Sequence, residues 1–253
     1  MRIFAKRDDS DSEEESLAKL KSLRHTINWA IEAERRKFLR QLYPLLRNWK
    51  GPLPDLRDIF GRDEIDWLLT ESVESGEYRK ELVSLAVFVI YSGYRDKPDF
   101  DDYGRPVSRR TTPLHHAIES TKNRDIIPDL FKIYDRFDVN YTDESGYTHF
   151  HIACRIGCDE VVEKFLEFGQ DPNCVVTETG DLPLHLALRF NNEKVFELLM
   201  RGGADPNVVD EKGSTPLHLI AEKEDDDDVV DRFFKICDEK NHPVPNAAGH
   251  RCK

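Results

Sequence analysis

Apolar side chains recur at helical spacing along most of the chain. Leu20, Leu23, Ile27, Ile31, Phe38 and Leu42 share one side of an amphipathic helix over Leu17 to Leu42, with Glu32, Glu34, Arg35, Arg36 and Arg40 largely elsewhere. The apolar stripe lapses at Glu34-Arg35, which suits a cap packed on neighbouring helices better than a dimerising coil. Pro44 breaks or restarts this element, and Gly51-Pro52-Leu53-Pro54 ends it. From Asp63 to Gly93 the pattern predicts a helix pair, with Ile65, Trp67, Leu68 and Leu69 in one member and Leu82 to Ile90 in the other. Further on, Val161, Val162, Phe165, Leu166 and Phe168 form one helical face, and Val195, Phe196, Leu198 and Leu199 another. Gly169 and Gly202-Gly203 follow these faces and stop the helices at low conformational cost.

Internal repetition organises the second half. Thr112-Pro-Leu-His115, Thr148-His-Phe-His151, Leu182-Pro-Leu-His185 and Thr215-Pro-Leu-His218 align, with their histidines 36, 34 and 33 residues apart. Asp138-Val-Asn140, Asp171-Pro-Asn173 and Asp205-Pro-Asn207 run in phase, as do Gly146, Gly180 and Gly213. Proline suits a first helical position, where its missing N–H would have no partner anyway. The preceding threonine is placed to cap the helix start. One helix pair of this kind cannot bury its apolar face alone, so such units stack.

These motifs resemble the ankyrin-repeat family, over Gly104 to about Asn241. The resemblance implies an all-α fold: a solenoid of helix-turn-helix units with projecting loops, here preceded by an N-terminal helical cap. The expected organisation is a disordered acidic tail (1–16), an N-terminal helical segment (17–62), a degenerate repeat-like helix pair with a long loop (63–110), four repeats (111–242), and the start of a truncated repeat or a frayed tail (243–253). The motif residues Thr112, His115, Thr148, His151, His185, Thr215 and His218 are expected to hold the repeats together. Leu182 departs from the motif, so His185 should lack the hydroxyl partner of its counterparts. The N-terminal stretch, with FLRQLYPLLRNWKGPLPDLRDIF and EIDWLLTESV, is similar to multi-copy ankyrin-repeat families of parasitoid wasps. Some of those proteins carry an F-box-like segment that recruits a ubiquitin ligase; none is visible in this sequence.

Composition narrows the function. Of 253 residues, 37 are Lys or Arg and 49 are Asp or Glu, a net charge of −12. Nucleic-acid backbones are bound by neutralising phosphates with basic side chains, so no nucleic-acid partner is expected. The longest apolar run, Leu82 to Tyr91, is half of the roughly 20 residues a spanning helix needs, so no membrane partner is expected either. The N-terminus turns acidic where a signal peptide would be apolar. Ser10 and Ser12 there each precede a glutamate by three residues, a pattern acidophilic kinases accept. Five cysteines at no framework spacing point away from a disulfide scaffold. A monomer in the cytoplasm, or the nucleus, is the expectation.

No catalytic motif is present: neither a phosphate loop, a nucleophile elbow nor a zinc-protease helix appears. Asp99 to Gly104 mimics the start of a calcium loop, but position twelve is Arg110 rather than a bidentate Glu. His149, His151, Cys154 and Cys158 form the densest metal-like cluster, yet His151 and Cys154 hold motif positions. No enzyme activity, cofactor or metal is expected. The acidic run Asp225 to Asp228 suits a helix start.

The ankyrin resemblance implies instead that a protein partner is held by the loop tips and the exposed, concave side of the first helices. The chain would then be a scaffold, or alternatively a substrate adaptor for a ubiquitin ligase or another enzyme. The family's variable positions fall on Glu144, Tyr147, Arg155 and Ile156 in the second unit, Glu178, Asp181, Arg189 and Phe190 in the third, and Glu211 and Lys212 in the fourth. Tyr147, Ile156 and Phe190 would give one solvent-facing patch, and Arg155 and Arg189 join it because arginine and aromatic anchors dominate interface energetics.

Overall fold

A computed structural model describes residues 10–74, 79–120, 124–223 and 227–240. These residues contain twelve α-helices and no strand beyond isolated bridges. The chain divides into two compact units, one from 1–97 with 112–135 and the other from 98–111 with 136–253. The expected start of a truncated repeat or frayed tail (243–253), and the first residues of the acidic tail, lie outside the described residues.

The first unit holds α1 (Ser10–His25), α2 (Glu32–Arg47), α3 (Arg62–Glu74), α4 (Arg79–Tyr91), α5 (Pro113–Glu119) and the single turn α6 (Ile127–Leu130). The helix expected over Leu17 to Leu42 is two helices. Polar side chains settle the break between them: Thr26 Oγ1 donates to the Leu23 carbonyl, Asn28 Oδ1 accepts from Ala30 N–H, and Glu34 accepts from Asn28 N–H at 2.7 Å. Such local bonds offer the backbone an alternative to helix. α1 starts at Ser10, within the segment read from sequence as a tail.

Pro44 does not break α2, which runs on to Arg47. The proline sits in the last turn, where it removes the donor for one carbonyl only. Leu39, Leu42, Tyr43 and Leu46 are buried around it and hold the turn. Tyr43 also shares a 2.8 Å hydrogen bond with Ser72 of α3. α2 and α3 each pack on α4, and α3 packs on α5. After α5 the described residues of the first repeat form only a 3₁₀ turn (Arg124–Ile126) and α6, with Ile126, Ile127 and Leu130 buried.

The described residues of the second unit contain three full helix pairs: α7 (His149–Ile156) with α8 (Asp159–Glu167), α9 (Pro183–Arg189) with α10 (Glu193–Arg201), and α11 (Pro216–Ala221) with α12 (Asp227–Lys240). First helices pack in the order α7, α9, α11 and second helices in the order α8, α10, α12. Phe150, Phe165, Phe196 and Phe233 fill the core between the two rows. Phe150 meets Phe165 edge-on at 5.7 Å. Each such side chain, fully buried, contributes about 1.5–3 kcal/mol.

Candidate functional site

The loops ahead of α7 and α11 are built by one device. Asp143 Oδ1 accepts from the backbone N–H of Ser145 and Tyr147 at 3.0 and 2.8 Å. Asp210 Oδ1 accepts from Lys212 and Ser214 at 2.9 and 2.8 Å. In both, the aspartate N–H also donates back to the carbonyl four residues on, which closes the turn. The loop ahead of α9 has no such aspartate; Val176 N–H reaches the Asp181 carbonyl five residues on, and Thr179 Oγ1 donates to Asp181.

Neighbouring loops are tied to one another. Glu178 N–H donates to the Ser145 carbonyl at 3.0 Å. Gly146, at φ +87°, lets that contact form: a Cβ there would lie 2.6 Å from Thr177 Oγ1. A Cβ on Gly180 would likewise collide with the Glu211 side chain.

Two motif histidines, His151 and His185, each join a first helix to the next loop. His151 Nδ1 accepts a hydrogen bond from the Thr148 hydroxyl at 2.8 Å, and its Nε2 donates to the Cys174 carbonyl at 3.0 Å. Burial holds its pKa down at about 4, against the smaller raising effect of the Cys174 carbonyl. The imidazole is therefore neutral at pH 7, as this bonding requires. His185 Nε2 donates to the Ser214 carbonyl at 2.8 Å, but its buried Nδ1 has no partner because Leu182 stands where a threonine would cap. Thr112–His115 and Thr215–His218 repeat the pairing. His218, on the last described first helix, is exposed.

Eight of the ten residues expected to bind a partner fall into three groups. Glu144, Glu178, Glu211 and Lys212 are exposed at the loop tips, and no ion pair engages them among the described residues. Arg155 lies over the Phe190 ring at 4.9 Å, and Phe190 remains 40% exposed. Arg189 bridges two loops, pairing with Asp181 at 2.7 Å and with Asp210.

Tyr147 is a correction. It is buried, 5.5 Å from the His151 ring, rather than solvent-facing. Burial pushes its phenol up to about 12, although Arg155 beside it favours ionisation. The cause is the tight loop, which closes through the Tyr147 backbone and turns the ring inward. Ile156 is half-buried and contributes less open surface than expected. Sequence reasoning missed Asp210 as the buried anchor of Arg189, and Asn192, whose Nδ2 donates to the carbonyls of Cys154 and Arg155 at the end of α7. The shared spacing of Asp143 and Asp210 before Gly146 and Gly213 was the available signal for the first.

The metal-like cluster has structural tasks. His149 packs on Tyr141 at 5.3 Å and His151 completes a cap. Burial pushes the Cys158 thiol up to about 11 and holds Cys154 well above its ordinary value. No group of three or more metal-ligating side chains comes together among the described residues.

Three helix pairs and three glycine-turned loops, with two histidine links between successive repeats, are the pattern that the comparison recognises. Residues 114–210 match the family model for ankyrin repeats (3 copies). They carry the ankyrin fold. Ankyrin repeats in general mediate protein–protein interaction. No curated protein matches the chain, so the comparisons give no support to the expected likeness of its N-terminal stretch to wasp ankyrin families. No helix among the described residues is long and apolar enough to cross a membrane.

Proposed function

We propose that the chain is a non-enzymatic scaffold that binds a protein partner through the ankyrin loop tips and the adjoining surface of α7 and α9. The observation that carries this reading is the Arg155–Phe190 stack, an exposed aromatic with a cation over its face, beside Glu144, Glu178, Glu211 and Lys212, which no ion pair engages among the described residues. Such anchors supply most of the energy in ordinary interfaces. The loops are fixed by their own aspartates and by one another, so little ordering is lost on binding. The four cysteines among the described residues are all free, which agrees with a reducing cytoplasmic or nuclear setting.

The test is affinity purification from the protein's own source with wild type, the Phe190→Ser/Arg155→Ala variant and a Tyr147→Phe control, each first shown to melt normally. Loss of a partner with the double variant alone supports the reading. Retention of every partner with that variant refutes it. A ligase subunit among the lost partners would make the chain a substrate adaptor.

A further inference from the structure

The hairpin over residues 98–111 carries a feature that partner binding leaves unused. Its turn is locked by Asp101, whose Oδ1 accepts from Tyr103 and Arg105 N–H, both at 2.9 Å. Its return arm runs Arg105-Pro-Val-Ser108-Arg109-Arg110-Thr111-Thr112. Arginine thus stands three residues before two hydroxyls, Ser108 and Thr112. Basic-directed protein kinases read an arginine at that distance through acidic side chains that pair with its guanidinium.

The structure separates the two candidates. Thr112 is 1% exposed, and its hydroxyl is engaged by His115 at 3.1 Å. Ser108 is exposed, and its hydroxyl has no hydrogen-bond partner among the described residues. The arm around Ser108 is open rather than helical, and a few backbone bonds hold it: Val107 N–H to the Asp99 carbonyl, Thr142 N–H to the Ser108 carbonyl, and Arg110 N–H to the Thr142 carbonyl. Arg105 pairs with Asp101 at 2.8 Å, but its side chain is 71% exposed and such solvated pairs exchange readily. Arg109 and Arg110 extend the basic character past Ser108.

We propose that Ser108 is a phosphorylation site for a basic-directed serine/threonine kinase. The γ-phosphoryl group of a nucleoside triphosphate passes to Ser108 Oγ: the new O–P bond forms as the bond to the β-phosphate oxygen breaks, the diphosphate leaves, and the hydroxyl proton goes to the kinase's base. The phosphate would add about two negative charges among Arg105, Arg109 and Arg110, beside the start of the loop that carries Glu144.

The full-length protein is incubated with a purified basic-directed kinase and Mg-ATP, and the modified residue is located by mass spectrometry. A synthetic peptide of residues 98–116 is treated in parallel. The expected result is phosphate on both Ser108 and Thr112 in the peptide but on Ser108 alone in the folded chain. Ser108→Ala should abolish incorporation, and Arg105→Ala should slow it at least about tenfold by removing the arginine that the kinase pairs with. Modification of the folded chain at Thr112, its failure at Ser108 while the peptide reacts there, or indifference to Arg105→Ala overturns the proposal.

Discussion

At the residue scale, one motif position explains two others. Thr148 caps α7 and supplies the hydroxyl that His151 accepts, whereas Leu182 caps nothing and leaves His185 Nδ1 alone in the interior. Losing an N-cap costs about 1 kcal/mol and an unmet buried acceptor about 1–3 kcal/mol. Leu182 is itself 3% exposed, and burying a leucine recovers about 1.5–3 kcal/mol. These contributions nearly cancel. In urea denaturation we therefore expect Leu182→Thr to change stability by less than about 1 kcal/mol, while Thr148→Ala loses about 1–2 kcal/mol.

The same histidines make the fold sensitive to acid. The pKa of His151 falls from 6.5 to about 4 on folding, chiefly through desolvation, and that of His185 falls for the same reason. A base whose folded pKa is depressed lets the unfolded chain bind protons first. Its contribution is complete above about pH 6.5 and is lost as the pH falls toward 4. For His151 alone this amounts to about 3 kcal/mol. Denaturant midpoints recorded from pH 7 to pH 4 should show that loss, and a folded His151→Gln variant should show a shallower one; identical slopes would remove His151 as the cause.

At the scale of the element, the amphipathic pattern was a sound guide within α8 and α10, except at Phe168, which is 63% exposed past the end of α8. Val162 and Phe165 in α8, and Val195, Phe196 and Leu199 in α10, are buried on the face that the spacing marks. It failed between α1 and α2, where one apolar stripe crosses a break made by Thr26, Asn28 and Glu34. Hydrogen bonds from polar side chains do not register in a hydrophobic period. Loop glycines separate in the same way. Gly146 and Gly169 both have positive φ, but only a Cβ at Gly146 meets a neighbouring repeat. Both alanine variants should pay about 1–2 kcal/mol for left-handed backbone. Gly146→Ala should cost clearly more in thermal melts, because Thr177 and the Glu178–Ser145 bond must shift; equal losses would mean that the loops yield freely.

For the molecule as a whole, stability in the second unit rests on the phenylalanine core shared by successive helix pairs. Phe196 is 1% exposed, close to Phe233 at 6.4 Å. Phe196→Ala should cost about 3–5 kcal/mol in urea unfolding, as a large cavity in a packed interior does. A loss below about 1 kcal/mol would show that repeats repack around the gap. Exposed Phe190, by contrast, should tolerate serine with little change in melting, which is what makes it a usable probe of binding.

The sequence by itself determined the repeat, its period, the helix starts and the loop glycines. Each is set by short-range chemistry, a cap, a proline, a left-handed turn, and that chemistry recurs three or four times in register. Only the tertiary structure decided which loop residues face solvent. Tyr147 and Phe190 look alike as aromatic residues at variable positions, yet the Asp143 turn buries one and the end of α9 exposes the other under Arg155. Asp210 and Arg189 are 21 residues apart and meet because one repeat rests on the next. A side chain's exposure depends on what a neighbouring repeat brings beside it, and no local pattern in a single repeat contains that.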